Sequence, residues 1–193
     1  MSVAVYFDLE TGGVEPTRPD IQLAAIAVDE ASGNELETFE AKITFDAATA
    51  DTEALALNHY SPEAWTSAEH ERIVAAKYAS FLNRYRYLAC LSKRTGKTFT
   101  VAKLVGHNAA TFDGPRLRAL FARHDLFLPA DPRVRCTCQR ALWWFDERAI
   151  VPKDYKLATL CEYFGIAVAE SHEALADVRA TVALARALQG RDR

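Results

Sequence analysis

Hydrophobic residues are most concentrated at the start of the chain, where Val3-Ala4-Val5-Tyr6-Phe7 is an unbroken apolar run. A run that is apolar on both alternating faces and rich in β-branched and aromatic residues is typical of a strand buried inside a sheet. Residues 20–28 and 35–44 predict two further strands. Because the residues between them, Ala-Ser-Gly-Asn at 31–34, favour a turn, we expect these two strands to form a hairpin.

The middle of the chain has the spacing of helices. Residues 51–58 predict a short helix, and Pro62 in a first-turn position predicts that another begins at residues 61–63. Apolar residues recur at helical spacing between residues 67 and 91, which predicts one long helix. They are Ile73, Val74, Tyr78, Phe81 and Leu82.

The second half alternates strands with helices. A strand is predicted at residues 99–106, and residues 135–145 are expected to begin extended and continue as a helix. Three leading strands followed by this alternation predict a single α/β domain with a mixed sheet over residues 1–193. Further helices are predicted at residues 112–124, 157–164 and 173–188.

The composition is that of a globular domain, since 50% of the 193 residues are hydrophobic and 25% are charged. No stretch approaches the ~18 apolar residues of a membrane span and the N-terminus lacks the pattern of a signal peptide, so we expect a cytoplasmic protein without membrane association. The cysteines are expected to be reduced, and a metal site at Cys136-x-Cys138 is the less favoured alternative. We expect the aromatic residues 143–145 to lie in the core, Trp65 to serve packing, and His59, His70 and His124 to lie at the surface.

The net charge of −3 excludes a polycation that coats nucleic acid, but a local basic patch is enough for an enzyme that grips a few phosphates. The candidate patch is Lys-Arg-Thr-Gly-Lys at residues 93–97, with Arg84, Arg86 and Lys103 nearby in sequence. For residues 93–97 taken alone, a solvated loop is the favoured interpretation.

Two carboxylates close the first strand. Because strand side chains alternate, Asp8 and Glu10 point to one side while Phe7 and Leu9 point to the other. Taken alone, such a pair is more often a solvated acidic loop than a site. A third acid, Asp113, lies at a helix start beyond a strand end, where open α/β sheets place their sites, although the helix macrodipole favours an acid there without any function.

The last predicted helix carries the most informative acid. His172 and Asp177 are too far apart in angle to converge on one helix, so His172 must precede it. Asp177 then falls on the apolar side with Thr181, and the arginines of this helix lie on the opposite face. An ionised carboxylate on a buried face is unfavourable unless it is paired or bound to a metal.

Convergence of Asp8, Glu10, Asp113 and Asp177 would create strong repulsion, which cations relieve. A ligand set made only of carboxylate oxygens suits Mg²⁺ or Mn²⁺ better than zinc. Two such ions stabilise the attacking and leaving oxygens of a phosphoryl displacement. His172 is a candidate base for the attacking water, because its ordinary pKa of ~6.5 lies near the working pH.

The chain resembles the DEDDh 3′–5′ exonuclease family, the DnaQ-like group that includes polymerase III proofreading subunits, RNase T and three-prime repair exonucleases. Phe7 to Gly12 resembles the first motif, His107-Asn108 through Phe112-Asp113 the second, and His172-x-Ala174-Leu175-x-Asp177 the third. Each motif is weak alone, but the three occur in the family's order and cover nearly the whole chain.

The resemblance implies an RNase H-like fold with a mixed five-stranded sheet flanked by helices. It implies two Mg²⁺ ions, with Mn²⁺ as a substitute, held by Asp8, Glu10, Asp113 and Asp177, and His172 as general base. It also implies residues that hold the 3′-terminal nucleotide: Leu9, Thr11, Gly12, Leu57, Asn108 and Phe112. Gly114-Pro115-Arg116-Leu117 follows the second motif, where the family usually has large apolar residues. This difference suggests that Arg116 lies near the substrate.

The predicted function is therefore Mg²⁺-dependent removal of nucleoside 5′-monophosphates from the 3′ end of DNA or RNA, mainly single-stranded. One alternative is a module with weak or no catalysis that binds nucleic-acid 3′ ends or associates with a polymerase. Another is a small-molecule phosphodiesterase on the same site. A free-standing enzyme is favoured, with a homodimer or a polymerase partner left open. The sequence does not distinguish DNA from RNA.

Overall fold

The computed structural model of the chain describes residues 2–168 and 174–190. The strands are β1 (Val3–Thr11), β2 (Asp20–Asp29), β3 (Glu35–Lys42), β4 (Leu88–Leu91), β5 (Thr98–Val101), β6 (Lys103–Gly106) and β7 (Arg135–Cys136). The helices are α1 (Thr52–Leu57), α2 (Glu71–Arg84), α3 (Asp113–Arg123), α4 (Thr137–Asp146), α5 (Leu157–Tyr163) and α6 (Ala174–Ala187), and a short 3-10 helix, Ala47–Thr49, precedes α1.

Five strands form one mixed sheet in the order β3-β2-β1-β6-β7, and β4 and β5 form a separate hairpin. The central strand, β1, is antiparallel to β2 and parallel to β6. The predicted mixed five-stranded sheet is confirmed, and β2 and β3 are antiparallel neighbours, as expected of a hairpin. Because β1 and β6 are parallel, their carboxyl ends lie at the same edge of the sheet, and the chain beyond both ends meets there.

Alternate residues of β1 face two different layers of the core. The odd-numbered residues from Val3 to Leu9 pack with residues of α2 and α3, whereas Ala4 and Tyr6 pack with residues of α6. Each large side chain buried in these layers contributes roughly 1.5–3 kcal/mol to folding. Since side chains alternate along a strand, α6 covers the face of β1 that also carries Asp8 and Glu10.

The prediction that a helix begins at residues 61–63 is wrong, because residues 62–67 form turns. Trp65 is buried as expected, and its indole N–H donates to the carbonyl oxygen of Ile21 at 3.3 Å. The segment is therefore fixed to the sheet by the indole rather than by a helical hydrogen-bond ladder.

The long helix predicted over residues 67–91 is shorter at both ends, as α2 spans only Glu71–Arg84. Residues Leu88–Leu91 form β4, where half-buried and exposed residues alternate with the period of a strand. Burial at the end of the predicted helix therefore alternates with a period of two. The helical spacing of the apolar residues in α2 dominates the longer window and hides this alternation.

The single strand predicted over residues 99–106 is two strands that belong to different sheets. The break lies at Ala102, whose N–H donates to the carbonyl oxygen of Pro129 at 2.9 Å and which forms a bridge with Ala130. Pairing with this distant segment diverts the chain from the β4–β5 hairpin into the main sheet.

The expectation for residues 143–145 is correct only in part. Phe145 is buried and Trp144 is half-buried, but Trp143 is 71% exposed. Consecutive helical residues differ by ~100° in direction, so three in a row do not all face one core.

Two residues of the predicted basic patch are paired with acids, Arg84 with Glu37 and Lys103 with Glu30, both at 2.5 Å. Residues 93–97 remain as the exposed turn of the β4–β5 hairpin. None of the helices within residues 2–168 and 174–190 is long and apolar enough to cross a membrane.

Candidate active site

Three carboxylates meet where the end of β1 faces the start of α6. One oxygen each of Asp8, Glu10 and Asp177 lies within 4.8 Å of the others. Asp177 is in the first turn of α6, and neighbouring residues of this helix, Ala174 and Val178, are buried against β1 and β2. The packing of α6 on the sheet therefore brings its acid to the two acids of the strand.

Asp113 reaches the same strand from the other layer. It is the first residue of α3 and is buried, with 4% exposure. Its Oδ1 accepts a hydrogen bond from the backbone N–H of Leu9 at 3.2 Å. An acid in a first helical turn is stabilised by the macrodipole, so α3 presents Asp113 to the backbone between Asp8 and Glu10.

Burial and mutual repulsion make this cluster hard to ionise. Burial raises the pKa of Asp8 well above its ordinary value, and the charges of Asp113, Glu10 and Asp177 raise it further. Burial, with Asp177 and Asp113, raises the pKa of Glu10 to about 7. Burial also raises the pKa of Asp113 to about 6, against the hydrogen bonds from backbone N–H groups, including that of Leu9. Near neutral pH these carboxyl groups must retain protons or bind cations.

The donor set suits a hard divalent cation. Among the described residues, Asp8, Glu10 and Asp177 are the one group of three or more side chains placed to hold a metal ion, and all their donors are oxygens. Burial and the charge of Asp177 raise the pKa of the Cys161 thiol to about 11, so no thiolate competes at neutral pH. Oxygen-only donors favour Mg²⁺ or Mn²⁺ over softer metals.

The three residues of the first motif predicted to hold a nucleotide are all buried. The side chain of Leu9 is buried and that of Thr11 donates to the carbonyl oxygen of Gly13 at 2.9 Å. A Cβ on Gly12 would lie 2.7 Å from the Cβ of Ala50, so only glycine fits there without rearrangement. These residues present backbone rather than side chains to a ligand.

The other three predicted contact residues come from α1 and the second motif. Leu57 is 53% exposed on α1. Asn108 adopts a left-handed conformation with φ of 54°, and its Oδ1 accepts a hydrogen bond from Thr111 at 2.9 Å. Phe112 is half-buried, with the Arg116 guanidinium 4.8 Å from its ring centre.

His172, predicted to be the general base, lies outside the described residues. Arg116, which we expect near the substrate, uses its guanidinium to bind the protein itself. Its side chain is buried, with 7% exposure, and donates to protein oxygens in the segment that follows β1. The sequence reveals the charge of Arg116, but it does not reveal that the segment after β1 lies across α3 and supplies the acceptors for this charge.

Two polar residues near the site, Asn58 and His107, make hydrogen bonds that no sequence pattern predicts. The Asn58 side chain donates to the carbonyl oxygens of Thr11 at 3.1 Å and Ala54 at 2.9 Å. His107 donates from Nε2 to the carbonyl oxygen of Tyr155, and its Nδ1 accepts from the Thr137 hydroxyl, both at 2.9 Å. Burial lowers the pKa of His107, so the neutral ring fixes the end of β6 against the segment before α5.

Comparison with known proteins agrees with this architecture. The exonuclease family model RNase_T matches residues 94–185. No curated protein matches the sequence. Among solved structures, E. coli exonuclease I in complex with a dT13 oligonucleotide is 22% identical with a TM-score of 0.75, over 100% of this chain and 42% of that chain.

Two other structures of the same enzyme give a similar result, each at 22% identity. The zinc ion bound form of the E. coli exonuclease I–ssDNA complex has a TM-score of 0.72, over 98% of this chain and 41% of that chain. A complex of exonuclease I with SSB-Ct has a TM-score of 0.70, over 98% and 42%. The chain thus has the RNase H-like fold of exonuclease I and spans about two fifths of its length. The exonuclease family model thus matches the second half of the chain, and the whole chain has the fold of exonuclease I.

Proposed function

We propose that the protein is a metal-dependent 3′–5′ exonuclease and that residues 1–193 form one exonuclease domain. The observation that carries this proposal is the meeting of Asp8, Glu10 and Asp177 within 4.8 Å, with Asp113 bound to the same strand. A structural role does not explain such a cluster, because the buried acids raise one another's pKa. Cation binding would relieve that repulsion.

In this mechanism Asp8, Glu10, Asp113 and Asp177 would hold two Mg²⁺ ions, for which Mn²⁺ would substitute. When bound, such ions stabilise the attacking and leaving oxygens of an in-line phosphoryl displacement. The backbone at Leu9, Thr11 and Gly12 orients the terminal nucleotide, with Leu57, Asn108 and Phe112 beside it.

His172 removes the proton from the attacking water. The new bond joins the water oxygen to phosphorus, the bond from phosphorus to the 3′ oxygen of the preceding nucleotide breaks, and the departing 3′ oxygen takes up a proton from solvent. The products are a nucleoside 5′-monophosphate and a strand with a new 3′ hydroxyl. General-base catalysis of this kind contributes typically 10²–10⁴-fold in rate.

The test is mononucleotide release by purified protein in Mg²⁺. Asp8→Asn should abolish release, and Asp146→Asn, which makes the same change at an exposed acid on α4, should leave it intact. His172→Ala should lower the rate by roughly 10²–10⁴-fold while Mg²⁺ still raises the melting temperature. Undiminished hydrolysis by Asp8→Asn would refute the mechanism. Mg²⁺-dependent stabilisation of the wild type without any cleavage would favour an end-binding module instead.

The substrate is best sought among single strands. The E. coli exonuclease I structures contain DNA oligonucleotides, and we extend this to a preference of the present protein for single-stranded DNA. A panel of single-stranded DNA, duplexes with recessed or overhanging ends, and short RNA would measure it. Faster release from RNA than from DNA would reverse the assignment.

A further inference from the structure

Arg116 is connected to the segment between β1 and β2 by several hydrogen bonds. Its Nη2 donates to the carbonyl oxygens of Gly13 at 2.9 Å and Glu15 at 2.6 Å. Its Nη1 donates to the carbonyl oxygen of Arg18 and to Oδ1 of Asp20, both at 3.1 Å. A buried guanidinium thus collects three backbone carbonyls and one carboxylate from a single short segment, residues 13–20.

Other hydrogen bonds also hold this segment, from the N–H of Gly12 to the carbonyl oxygen of Pro19 at 2.8 Å and from the N–H of Arg18 to that of Glu15 at 3.0 Å, but two of its positions lack a donor. The peptides that follow Glu15 and Arg18 lead into Pro16 and Pro19, which have no N–H to donate. The planar guanidinium, with five N–H donors in a fixed geometry, suits several acceptors at once, whereas a lysine ammonium is a compact point charge. Simultaneous binding of the carbonyl oxygens of Gly13, Glu15 and Arg18 therefore depends on the identity of residue 116 and not only on its charge.

The connection continues into the candidate active site. The carbonyl oxygen of Gly13 that binds Arg116 also accepts the hydroxyl of Thr11 at 2.9 Å. On the same helix, Asp113 binds the N–H of Leu9. One rigid element, α3, therefore holds the backbone on both sides of Glu10, at Leu9 through Asp113 and at Gly13 through Arg116.

The outer side of the segment also lines open space at the start of α3. A cavity of about 230 Å³ is lined by Val14 and Pro16 from the segment and by Phe112 and Pro115 from the start of α3. A shift of residues 13–16 would change this wall and the Thr11–Gly12 backbone together.

We propose that Arg116 is a positioning residue for the 3′-terminal nucleotide. It touches neither the reacting phosphate nor the metal ions but fixes the backbone of residues 11–16, against which the nucleotide lies. This inference rests on the proposed exonuclease function. It predicts a loss of nucleotide affinity when the guanidinium geometry is changed, with metal binding preserved.

The test compares Arg116→Lys with Arg118→Lys, a matched control on the same helix. Arg118 is exposed, and its hydrogen bond to the carbonyl oxygen of Pro132 is long, at 3.4 Å. With oligo-dT as substrate, Arg116→Lys should raise KM and weaken inhibition by the product dTMP roughly tenfold, as expected for loss of one or two hydrogen bonds. The kcat and the rise in melting temperature caused by Mn²⁺ should stay near wild-type values. Arg118→Lys should behave as the wild type.

Asp20→Asn separates positioning from stability. It removes the charge that pairs with Arg116 and Arg123 but leaves the carbonyls of Gly13, Glu15 and Arg18 available. This variant should melt at a lower temperature yet keep the wild-type KM. An Arg116→Lys protein that melts lower but binds dTMP as tightly as the wild type would show a purely structural role, as would a KM that rises equally in Asp20→Asn.

A measurement on the wild type covers the case in which Arg116→Lys does not fold. Amide hydrogen exchange in residues 11–16 should slow when dTMP and Mn²⁺ are added together, and unchanged exchange there would overturn the proposal. A wild type that hydrolyses no oligonucleotide would refute the proposed function, whereas an active wild type matched by Arg116→Lys in KM and dTMP inhibition would refute this inference alone.

Discussion

Replacing Glu10 with glutamine should stabilise the protein when divalent cations are absent. Glutamine keeps the shape of the side chain and removes one of the charges that crowd the end of β1. Burial and the neighbouring acids raise the pKa of Glu10 from 4.5 to about 7. Between these two values the folded protein holds a proton that the unfolded chain has released, so this glutamate lowers stability as the pH rises.

The size of the effect follows from the same shift. A pKa rise of this size lowers the free energy of unfolding by roughly 3 kcal/mol once Glu10 is ionised in both the folded and the unfolded state. Solvent screening at a half-buried side chain reduces this loss to about 1–2 kcal/mol. Coulomb repulsion between unit charges at the 4.8 Å limit of the cluster is about 3.5 kcal/mol at an effective dielectric of 20, which is of the same order. For a domain of this length, about 1–2 kcal/mol corresponds to a melting temperature higher by roughly 2–8 °C.

Thermal unfolding in a chelator measures this directly. At about pH 8 the Glu10→Gln protein should melt at a higher temperature than the wild type. At about pH 5, where folded Glu10 retains its proton, the difference in melting temperature should fall to a small fraction of its value at about pH 8. Adding Mg²⁺ should stabilise the wild type more than the variant, because the variant has lost a carboxylate ligand. Glu63→Gln, the same change at an exposed residue, is the control and should show neither effect.

The reasoning would be refuted by a Glu10→Gln protein that is no more stable than the wild type at about pH 8 in chelator. A stabilisation of equal size at about pH 5 and pH 8 would also refute it, since removal of a titrating charge must produce a pH-dependent difference.

Other substitutions test the surrounding structure. Tyr78 is fully buried and its hydroxyl has no hydrogen-bond partner among residues 2–168 and 174–190; Tyr78→Phe should therefore be neutral or raise the free energy of unfolding by up to about 1–3 kcal/mol in denaturant titrations. His107→Ala should lower the free energy of unfolding by roughly 1–3 kcal/mol at neutral pH through loss of two hydrogen bonds. Because burial lowers the pKa of His107, its contribution should shrink as the pH falls below ~6.5, and equal losses at acid and neutral pH would contradict the buried neutral ring. A Cβ on Gly106 would lie 2.5 Å from the Cβ of Ala109 and 2.9 Å from the carbonyl oxygen of Phe7. Gly106→Ala should therefore lower the free energy of unfolding by roughly 1–3 kcal/mol, and an unchanged melting temperature would show that the neighbouring residues move to accommodate the methyl group.

The sequence by itself determined the features that depend on local period. Alternation along β1 placed Asp8 and Glu10 on one face, opposite the buried Leu9. The helical period placed Asp177 away from Arg179, which in the structure pairs with Glu35 on β3. Residues two apart in a strand, or three to four apart in a helix, share a face wherever the element lies.

Only the tertiary structure decided which distant groups meet. Strand period did not predict the break at Ala102, because that break depends on a bridge to Ala130. Likewise, the charge of Arg116 was visible in the sequence, but its carbonyl acceptors lie about a hundred residues earlier. Backbone carbonyls are the same for every residue type, so no sequence pattern marks the ones that a buried guanidinium will bind, and only the packing of α3 across the segment after β1 selects them.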